Sequence, residues 1–140
     1  MNPLYTTSAI STGEGRNGRS RTNDGMLDVG LAVPTEMGGP GGATNPEQLF
    51  AAGYAACFHS ALQGVARQQK ADITDSAVTA DVHMFKNDDG GFELAVNLSV
   101  EMAGVEQETA ARLTAAAHKV CPYSHATQNN IDVTLETTTV

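Results

Sequence analysis

Residues 45–69 are the segment that most restricts how this chain can fold. Their sequence, NPEQLFAAGYAACFHSALQGVARQQ, is small or apolar on nearly all sides and carries little charge before Arg67. Asn45 is suited to cap a helix, Pro46 to occupy its first position, and Gln48 to complete a capping box. Because a helix that is apolar all round must be covered by other parts of a protein, this segment predicts a central, buried helix.

The remaining sequence contains strand patterns arranged around a second helix. Strand patterns cover residues 4–11, 26–33, 76–85, 91–102 and 131–140. Turns or loops are predicted over residues 12–25, 34–44 and 86–91. The second helix is predicted over residues 106–120, and Pro122 breaks or restarts it. This order predicts an α+β fold with antiparallel sheet packed on buried helices, in a single domain over residues 1–140.

The charge balance of the chain limits its partners. Sixteen acidic residues against eight Lys and Arg give a net charge of -8 over 140 residues. Nucleic acids and anionic membrane surfaces require clustered basic residues. No apolar run reaches the roughly 18 residues of a membrane-spanning helix, and the N-terminal residues do not follow the pattern of a secretory signal. We therefore expect a cytoplasmic protein that binds neither nucleic acid nor a membrane.

Cys57 and Cys121 are the two cysteines of the chain. Structural disulfides are rare in a reducing cytoplasm, so these residues are predicted to be free thiols, a redox pair or metal ligands. Cys57 lies in the apolar helix, where loss of hydration disfavours the thiolate and makes a thiol inert. A reactive Cys57 therefore needs a cationic neighbour, which its own helix does not supply.

The glycine-rich turn contains the arginines that could activate Cys57, namely Arg16, Arg19 and Arg21. An arginine held near an apolar helix needs a carboxylate, and Glu47 is the acid near the start of that helix. Glu47 and Cys57 are ten positions apart, which is about 15 Å along a straight helix. One arginine could serve both residues if the helix bends near Gly53, or if two copies of the helix pair antiparallel in a dimer.

The sequence also allows two other interpretations. GEGRNG at residues 13–18 has the spacing of a dinucleotide-binding motif, but no helix pattern follows it, so it is predicted to be a turn. A structural zinc site is the second, because His59, His118 and His125 flank the cysteines. His118 and Cys121 could share a helix face, whereas residues two apart on a helix, such as Cys57 and His59, point about 200° apart.

Two segments together resemble one known family. These are TNPEQLFAAGYAACFHSAL at residues 44–62 and AAAHKVCPYSHAT at residues 115–127, and each surrounds one cysteine. The stretches GRNG at residues 15–18 and RTNDGMLDV at residues 21–29 add to the likeness. The chain resembles, over essentially its whole length, the organic hydroperoxide resistance (Ohr) branch of the Ohr/OsmC family.

The resemblance implies an OsmC-like fold in which antiparallel sheets pack around two buried central helices of an intertwined homodimer. It also implies a thiol peroxidase with no metal, haem or other cofactor. Cys57 matches the peroxidatic cysteine, Cys121 the resolving cysteine, Arg16 the arginine that activates the thiolate, and Glu47 the acid that orients this arginine. The implied substrate is an organic hydroperoxide. The implied reductant is a dihydrolipoyl group, either free dihydrolipoamide or a lipoylated protein.

An apolar pocket around Cys57 would favour organic hydroperoxides over hydrogen peroxide. Phe50, Tyr54, Phe58 and Met37 are the predicted lining, and plain core positions would suit them equally well. An alternative function is an OsmC-type redox sensor or binding module, which would use the same cysteine pair without multiple turnover.

Overall fold

Helix α1 (Pro46–Gln68) agrees with the predicted helix to within one residue at each end. The backbone N–H of Gln48 donates to Asn45 Oδ1 at 2.8 Å, which confirms the predicted cap. The side-chain carbonyl of Gln48 accepts a hydrogen bond from Thr44 Oγ1 at 2.7 Å. One face of α1 is buried, and the opposite face is exposed in the single chain. The predicted burial of the whole helix is therefore not confirmed. The buried residues of α1 are Tyr54, Phe58, Leu62, Val65 and Ala66.

The computed structural model describes all residues from 1 to 140. It divides the chain into two units, Met1–Leu49 and Phe50–Val140. Helix α1 begins in the first unit and continues into the second. A single domain over the whole chain stays a prediction.

The first unit contains a small antiparallel sheet in the order β1-β2-β3. Its strands are β1 (Ala9–Thr12), β2 (Arg19–Thr22) and β3 (Asp28–Gly30). The prediction of one turn over residues 12–25 is wrong in part, because β2 lies within it. The sequence of β2, RSRT, has no apolar alternation, so only its pairing with both neighbours makes it a strand.

The second unit contains three longer strands in the order β4-β5-β6. These are β4 (Asp75–Lys86), β5 (Phe92–Ala103) and β6 (Asp132–Thr139). The hairpin between β4 and β5 is confirmed, and Asn87 Oδ1 closes its turn by accepting the N–H groups of Asp89 and Gly91. The prediction of purely antiparallel sheets is wrong, since β6 runs parallel to β5. Two helices connect these strands, and such a crossover returns the chain in the same direction.

Helices α2 (Gln107–Val120) and α3 (Pro122–Thr127) form that connection. The core of the second unit lies between α1, α2 and the inward face of β5. Alternate residues of β5 point into it, as expected for a strand with one buried face. None of the helices combines the length and apolar character needed to span a membrane. The buried residues of β5 are Val96, Leu98, Val100 and Met102.

Candidate active site

The two cysteines lie together in the second unit. Cys121 Sγ is 3.5 Å from Cys57 Sγ, and both are free thiols. Cys121 lies between α2 and α3, directly before Pro122, the first residue of α3, and its side chain is fully buried. Cys57 lies in the middle of α1 and is only partly buried. The thiols are therefore close enough to react with each other, although they differ in access to solvent.

Burial raises the pKa of the Cys57 thiol, and the neighbouring Cys121 thiol adds to the increase. A hydrogen bond from the backbone N–H of Tyr123 opposes this shift, because it stabilises the thiolate. The phenol of Tyr123 lies over Gly53, where a Cβ atom would come within 3.1 Å of the hydroxyl oxygen. The glycine thus leaves room for α3 to approach α1 beside Cys57.

A cavity of about 530 Å³ opens beside Cys57. Along α1 it follows the face that carries Cys57 and Gly64, and the end of α2 closes one side. The residues that line it are small or apolar, apart from Ser60 and Gln68. Such a surface suits an apolar group next to a reactive thiol. The remaining lining residues are Ala61, Val65, Val120 and Pro122.

The four predicted pocket residues lie elsewhere. Tyr54 and Phe58 are fully buried core residues on the adjacent face of α1. Phe50 packs edge-to-face against the ring of Tyr54 and lines a second cavity. Met37 belongs to the first unit and is 43% exposed. None of the four lines the cavity beside Cys57, and their role in substrate binding stays a prediction.

Arg16 and Glu47 form an ion pair within the first unit. Two guanidinium nitrogens of Arg16 donate to the two carboxylate oxygens of Glu47, at 2.8 and 2.6 Å. This bidentate pairing lowers the pKa of Glu47 and raises that of Arg16, through the hydrogen bonds first. Arg19 pairs in the same way with Asp28, and Arg21 also approaches that carboxylate.

The structure thus brings the predicted site residues together as two pairs. Arg16 pairs with Glu47 in the first unit, and Cys57 lies beside Cys121 in the second. A bidentate partner fixes the plane of a guanidinium, as the predicted orienting role of Glu47 requires. The action of Arg16 on Cys57 stays a prediction.

Of the three histidines named as candidate metal ligands, His59 and His118 have hydroxyl partners, and His125 is exposed. His118 Nδ1 lies 2.8 Å from Ser124 Oγ, and His59 Nε2 lies 2.8 Å from Ser76 Oγ. The chain contains no cluster of three or more His, Cys, Asp or Glu side chains that could hold a metal ion. The residues present therefore do not fit the zinc site that we considered from the sequence.

The sequence did not indicate two residues beside the cysteines, namely Tyr123 and Ser124, and it marked Gly53 only as a position where the helix could bend. Ser124 is fully buried, and its hydroxyl oxygen lies 2.7 Å from the hydroxyl oxygen of Tyr54. The only sequence signal was spacing, since His118, Cys121 and Ser124 follow one another at intervals of three. That spacing places them on neighbouring turns only if a helix continues past Pro122.

Comparison with known proteins identifies the family. A family model described as OsmC-like protein matches residues 39–136. The chain is also 47% identical over 133 residues to an organic hydroperoxide resistance protein of Xanthomonas axonopodis pv. citri, covering 94% of this chain and 93% of that relative. The chain belongs to the OsmC-like family.

Within the OsmC-like family, the chain is similar to Ohr proteins along its whole length. It is 45% identical to organic hydroperoxide resistance protein OhrB of Bacillus subtilis, covering 95% of this chain and 97% of OhrB. The crystal structure of an organic hydroperoxide resistance protein from Legionella pneumophila matches it with a TM-score of 0.95 and 50% identity, covering 98% of this chain and 99% of that one. The chain therefore has the OsmC/Ohr fold, and it lies in the Ohr branch, whose relatives are named for organic hydroperoxide resistance, an oxidative stress response.

Proposed function

We propose that this protein is a thiol peroxidase that reduces organic hydroperoxides to alcohols. The observation that carries the proposal is the 3.5 Å approach of a partly buried thiol, Cys57, to a fully buried thiol, Cys121. The Cys57 thiolate attacks the distal oxygen of ROOH and the O–O bond breaks, which gives a Cys57 sulfenic acid and an alkoxide. The alkoxide takes up the proton that the thiol released on ionisation and leaves as ROH. The Cys121 thiol then attacks the sulfenic sulfur, which releases water and leaves a Cys57–Cys121 disulfide.

The difference in burial supports this division of roles. Cys57 lines an open cavity, so a hydroperoxide can reach its sulfur. Cys121 is fully buried and lies next to Cys57. It therefore reacts with the Cys57 sulfenic acid and not with the hydroperoxide itself. A resolving thiol in this position also protects Cys57 from further oxidation, because it removes the sulfenic acid before a second hydroperoxide arrives.

Arg16 supplies the positive charge that the reaction requires. Burial raises the pKa of Cys57, so its thiolate needs a cation for reactivity at neutral pH. We propose that Arg16 stabilises this thiolate and donates hydrogen bonds to the peroxide as negative charge develops. Glu47 orients the guanidinium through its two hydrogen bonds. The Cys57 on which this pair acts can belong to the same chain or to a second copy.

The cavity beside Cys57 supports a preference for organic hydroperoxides. Its volume of about 530 Å³ exceeds what hydrogen peroxide needs, and apolar atoms form much of its lining. An alkyl group there removes apolar surface from water, which contributes about 25 cal/mol for each Å² that is buried. Hydrogen peroxide has no such group and gains nothing from the cavity.

A dihydrolipoyl group is the proposed reductant, as free dihydrolipoamide or on a lipoylated protein. One of its thiolates attacks the disulfide at Cys57, because Cys121 is fully buried. Cys121 leaves as the reduced thiol, and the second lipoyl thiol then attacks the mixed disulfide and frees Cys57. The dithiol ends as lipoyl disulfide, so electrons and protons balance over the cycle.

We further propose that the chain works as a single OsmC-like domain in an intertwined homodimer, with sheets packed around buried central helices. The exposed face of α1 supports the dimer, since it carries small or uncharged residues until its last turn. A second copy on this face would complete the burial predicted for α1. We place the reaction in the cytoplasm, where a reducing environment keeps both thiols free between turnovers. The exposed face consists of Ala52, Ala56, Ser60, Gln63 and Arg67.

Steady-state consumption of cumene hydroperoxide with dihydrolipoamide tests the function. We expect many turnovers per chain, slower turnover of hydrogen peroxide, and no turnover by Cys57→Ser. Glutathione in place of dihydrolipoamide tests the preference for a dithiol. Activity that persists in a variant without either cysteine would refute the peroxidase. Consumption of one peroxide per chain with no cycling would favour the redox sensor instead.

A further inference from the structure

A buried chain of hydrogen bonds connects the three helices that position the cysteines. His118 Nδ1 lies 2.8 Å from Ser124 Oγ, and Ser124 Oγ lies 2.7 Å from the hydroxyl oxygen of Tyr54. That hydroxyl also lies 3.0 Å from Thr127 Oγ1. Tyr54 and Ser124 are fully buried, and Thr127 is 6% exposed. The peroxidase chemistry described above uses none of these side chains.

Three members of the network lie three residues from a cysteine in the sequence. Tyr54 precedes Cys57 by three residues on α1, so the two lie one helical turn apart. His118 precedes Cys121 by three residues, and Ser124 follows it by three. The network thus joins α1, α2 and α3 one turn from each sulfur.

The backbone of Cys121 is held by the two helices that it joins. Its N–H donates to the carbonyl of Ala117 at 2.9 Å, and its carbonyl accepts the N–H of His125 at 2.9 Å. Cys121 therefore moves with the end of α2 and the first turn of α3. Any contact that fixes α3 against α1 also fixes the position of Cys121 relative to Cys57.

The hydrogen-bond donors and acceptors of the network can be assigned consistently. Burial lowers the pKa of His118, so its ring is neutral near pH 7 and Nδ1 can accept the Ser124 hydroxyl. Tyr54 then donates to Ser124, and the Thr127 hydroxyl can donate to Tyr54 at 3.0 Å or to the Ser124 carbonyl at 3.3 Å. Every buried side-chain polar atom of the chain has a hydrogen-bond partner. A satisfied buried network fixes one arrangement of its helices, because breaking any bond leaves a buried polar group unpaired.

We infer that Ser124, Tyr54 and His118 are positioning residues for the disulfide-forming step, which assumes the resolving role proposed for Cys121. The sulfur atoms must close from 3.5 Å to about 2.05 Å for a disulfide to form. A small misplacement of reacting groups, of about 1 Å, can slow a step by about a hundredfold. In this step Cys121 sulfur bonds to Cys57 sulfur, the S–O bond of the sulfenic acid breaks, and the hydroxyl leaves as water with the thiol proton.

Single-turnover oxidation of Ser124→Ala with cumene hydroperoxide tests the inference. Sulfenic acid formation on Cys57 should slow less than disulfide formation, because the substitution removes neither the Cys57 thiol nor a residue that lines the cavity. Disulfide formation should slow by about tenfold or more. With excess peroxide, sulfinic acid should therefore accumulate in place of disulfide, as intact mass would show. Tyr54→Phe keeps the ring and removes only the hydroxyl. It should also lower the ratio of disulfide to sulfinic acid, and it serves as the test if Ser124→Ala does not fold.

Thr114→Val is the matched control. It removes a buried hydroxyl outside the network, on α2, which pairs with Thr137 on β6 at 3.0 Å rather than with α3. Its free energy of unfolding should decrease, while its ratio of disulfide to sulfinic acid should equal that of the parent. If the parent forms no Cys57–Cys121 disulfide, both the proposed function and this inference are refuted. If the parent forms it and both network variants form it at the parent rate, only the inference is refuted.

Discussion

Cys57 Sγ and Cys121 Sγ lie 3.5 Å apart although 64 positions separate these residues in the chain. One sulfur borders an open cavity and the other is fully buried. In the proposed function each thiol has a different reaction partner: a hydroperoxide for Cys57, and the Cys57 sulfenic acid for Cys121.

Cys121→Ser should uncouple the first oxidation from its resolution. The variant should react once with organic hydroperoxide at close to the parent rate, because Cys57 and its cavity remain. Without a resolving thiol, the sulfenic acid should then proceed to sulfinic and sulfonic acid, which intact mass can resolve. Normal cycling with dihydrolipoamide in this variant would contradict the resolving role of Cys121.

Arg16→Ala should shift the reactivity of Cys57 to higher pH. Burial and Cys121 raise the pKa of this thiol, and without the proposed cation only the N–H of Tyr123 opposes them. Because the thiolate is the reactive form, alkylation of Cys57 at neutral pH should slow by about ten- to a hundredfold. The pH profile of alkylation, measured in a Cys121→Ser background, gives the shift.

Arg19→Ala provides the control for that experiment, because it removes another arginine of the same unit that has its own carboxylate partner, Asp28. Its alkylation profile should match that of the parent. Equal shifts in the two variants would show that the loss of any nearby positive charge, and not Arg16 in particular, sets the reactivity of Cys57.

The ion pair between Arg16 and Glu47 should stabilise the fold above acidic pH. Hydrogen bonds from Arg16 lower the pKa of Glu47 below its ordinary value of 4.5. The stabilisation is therefore complete above that value and is lost as the pH falls through the lowered pKa of the folded state. Glu47→Gln should lower the free energy of unfolding by about 0.5–1 kcal/mol at neutral pH. The effect is small because the Arg16 side chain is 39% exposed and water screens the pair.

Urea unfolding from pH 3 to pH 7 measures this contribution. Glu136→Gln is the control, because it removes an exposed carboxylate that has no ion-pair partner. A difference between the parent and Glu47→Gln that stays constant over this pH range would contradict the ion-pair explanation.

Two glycines of α1 should respond differently to replacement by alanine. A Cβ atom at Gly64 would meet nothing within 4 Å, so Gly64→Ala should stabilise the helix by about 0.5–1 kcal/mol. A Cβ atom at Gly53 would come within 3.1 Å of the Tyr123 hydroxyl. Gly53→Ala should therefore stabilise the fold less than Gly64→Ala does, or should destabilise it. Equal gains in urea unfolding would show that Tyr123 does not pack against α1 in solution.

Reductant should attack the oxidised protein at Cys57. A labelled monothiol added to the Cys57–Cys121 disulfide should form its mixed disulfide on the Cys57 peptide, since Cys121 is fully buried. Peptide mapping after acid quenching locates the label. The same reaction in denaturant should label both cysteines, which controls for the intrinsic reactivity of the two sulfurs. Labelling mainly on Cys121 in the folded protein would overturn the proposed route of reduction.

Elements with local signals agreed well with the sequence prediction. Helix α1 and its Asn45 cap follow from contacts within one helical turn, and the hairpin of β4 and β5 follows from alternation around a polar turn. Strand β2 was missed because its polar sequence becomes a strand only through neighbours on both sides. The parallel direction of β6 was missed because it depends on where α2 and α3 return the chain.

The same distinction between local signals and distant contacts applies to the candidate site. The sequence alone determined the helix around Cys57, the need of its buried thiol for a cation, and, by family resemblance, the residues expected to act with it. Only the tertiary structure decided that Cys121 lies 3.5 Å from Cys57, and that Ser124 and His118 form a network with Tyr54. The physical reason is that caps and periodicity act between residues that are near in sequence. The pairing of buried polar groups depends on which distant segments share the core.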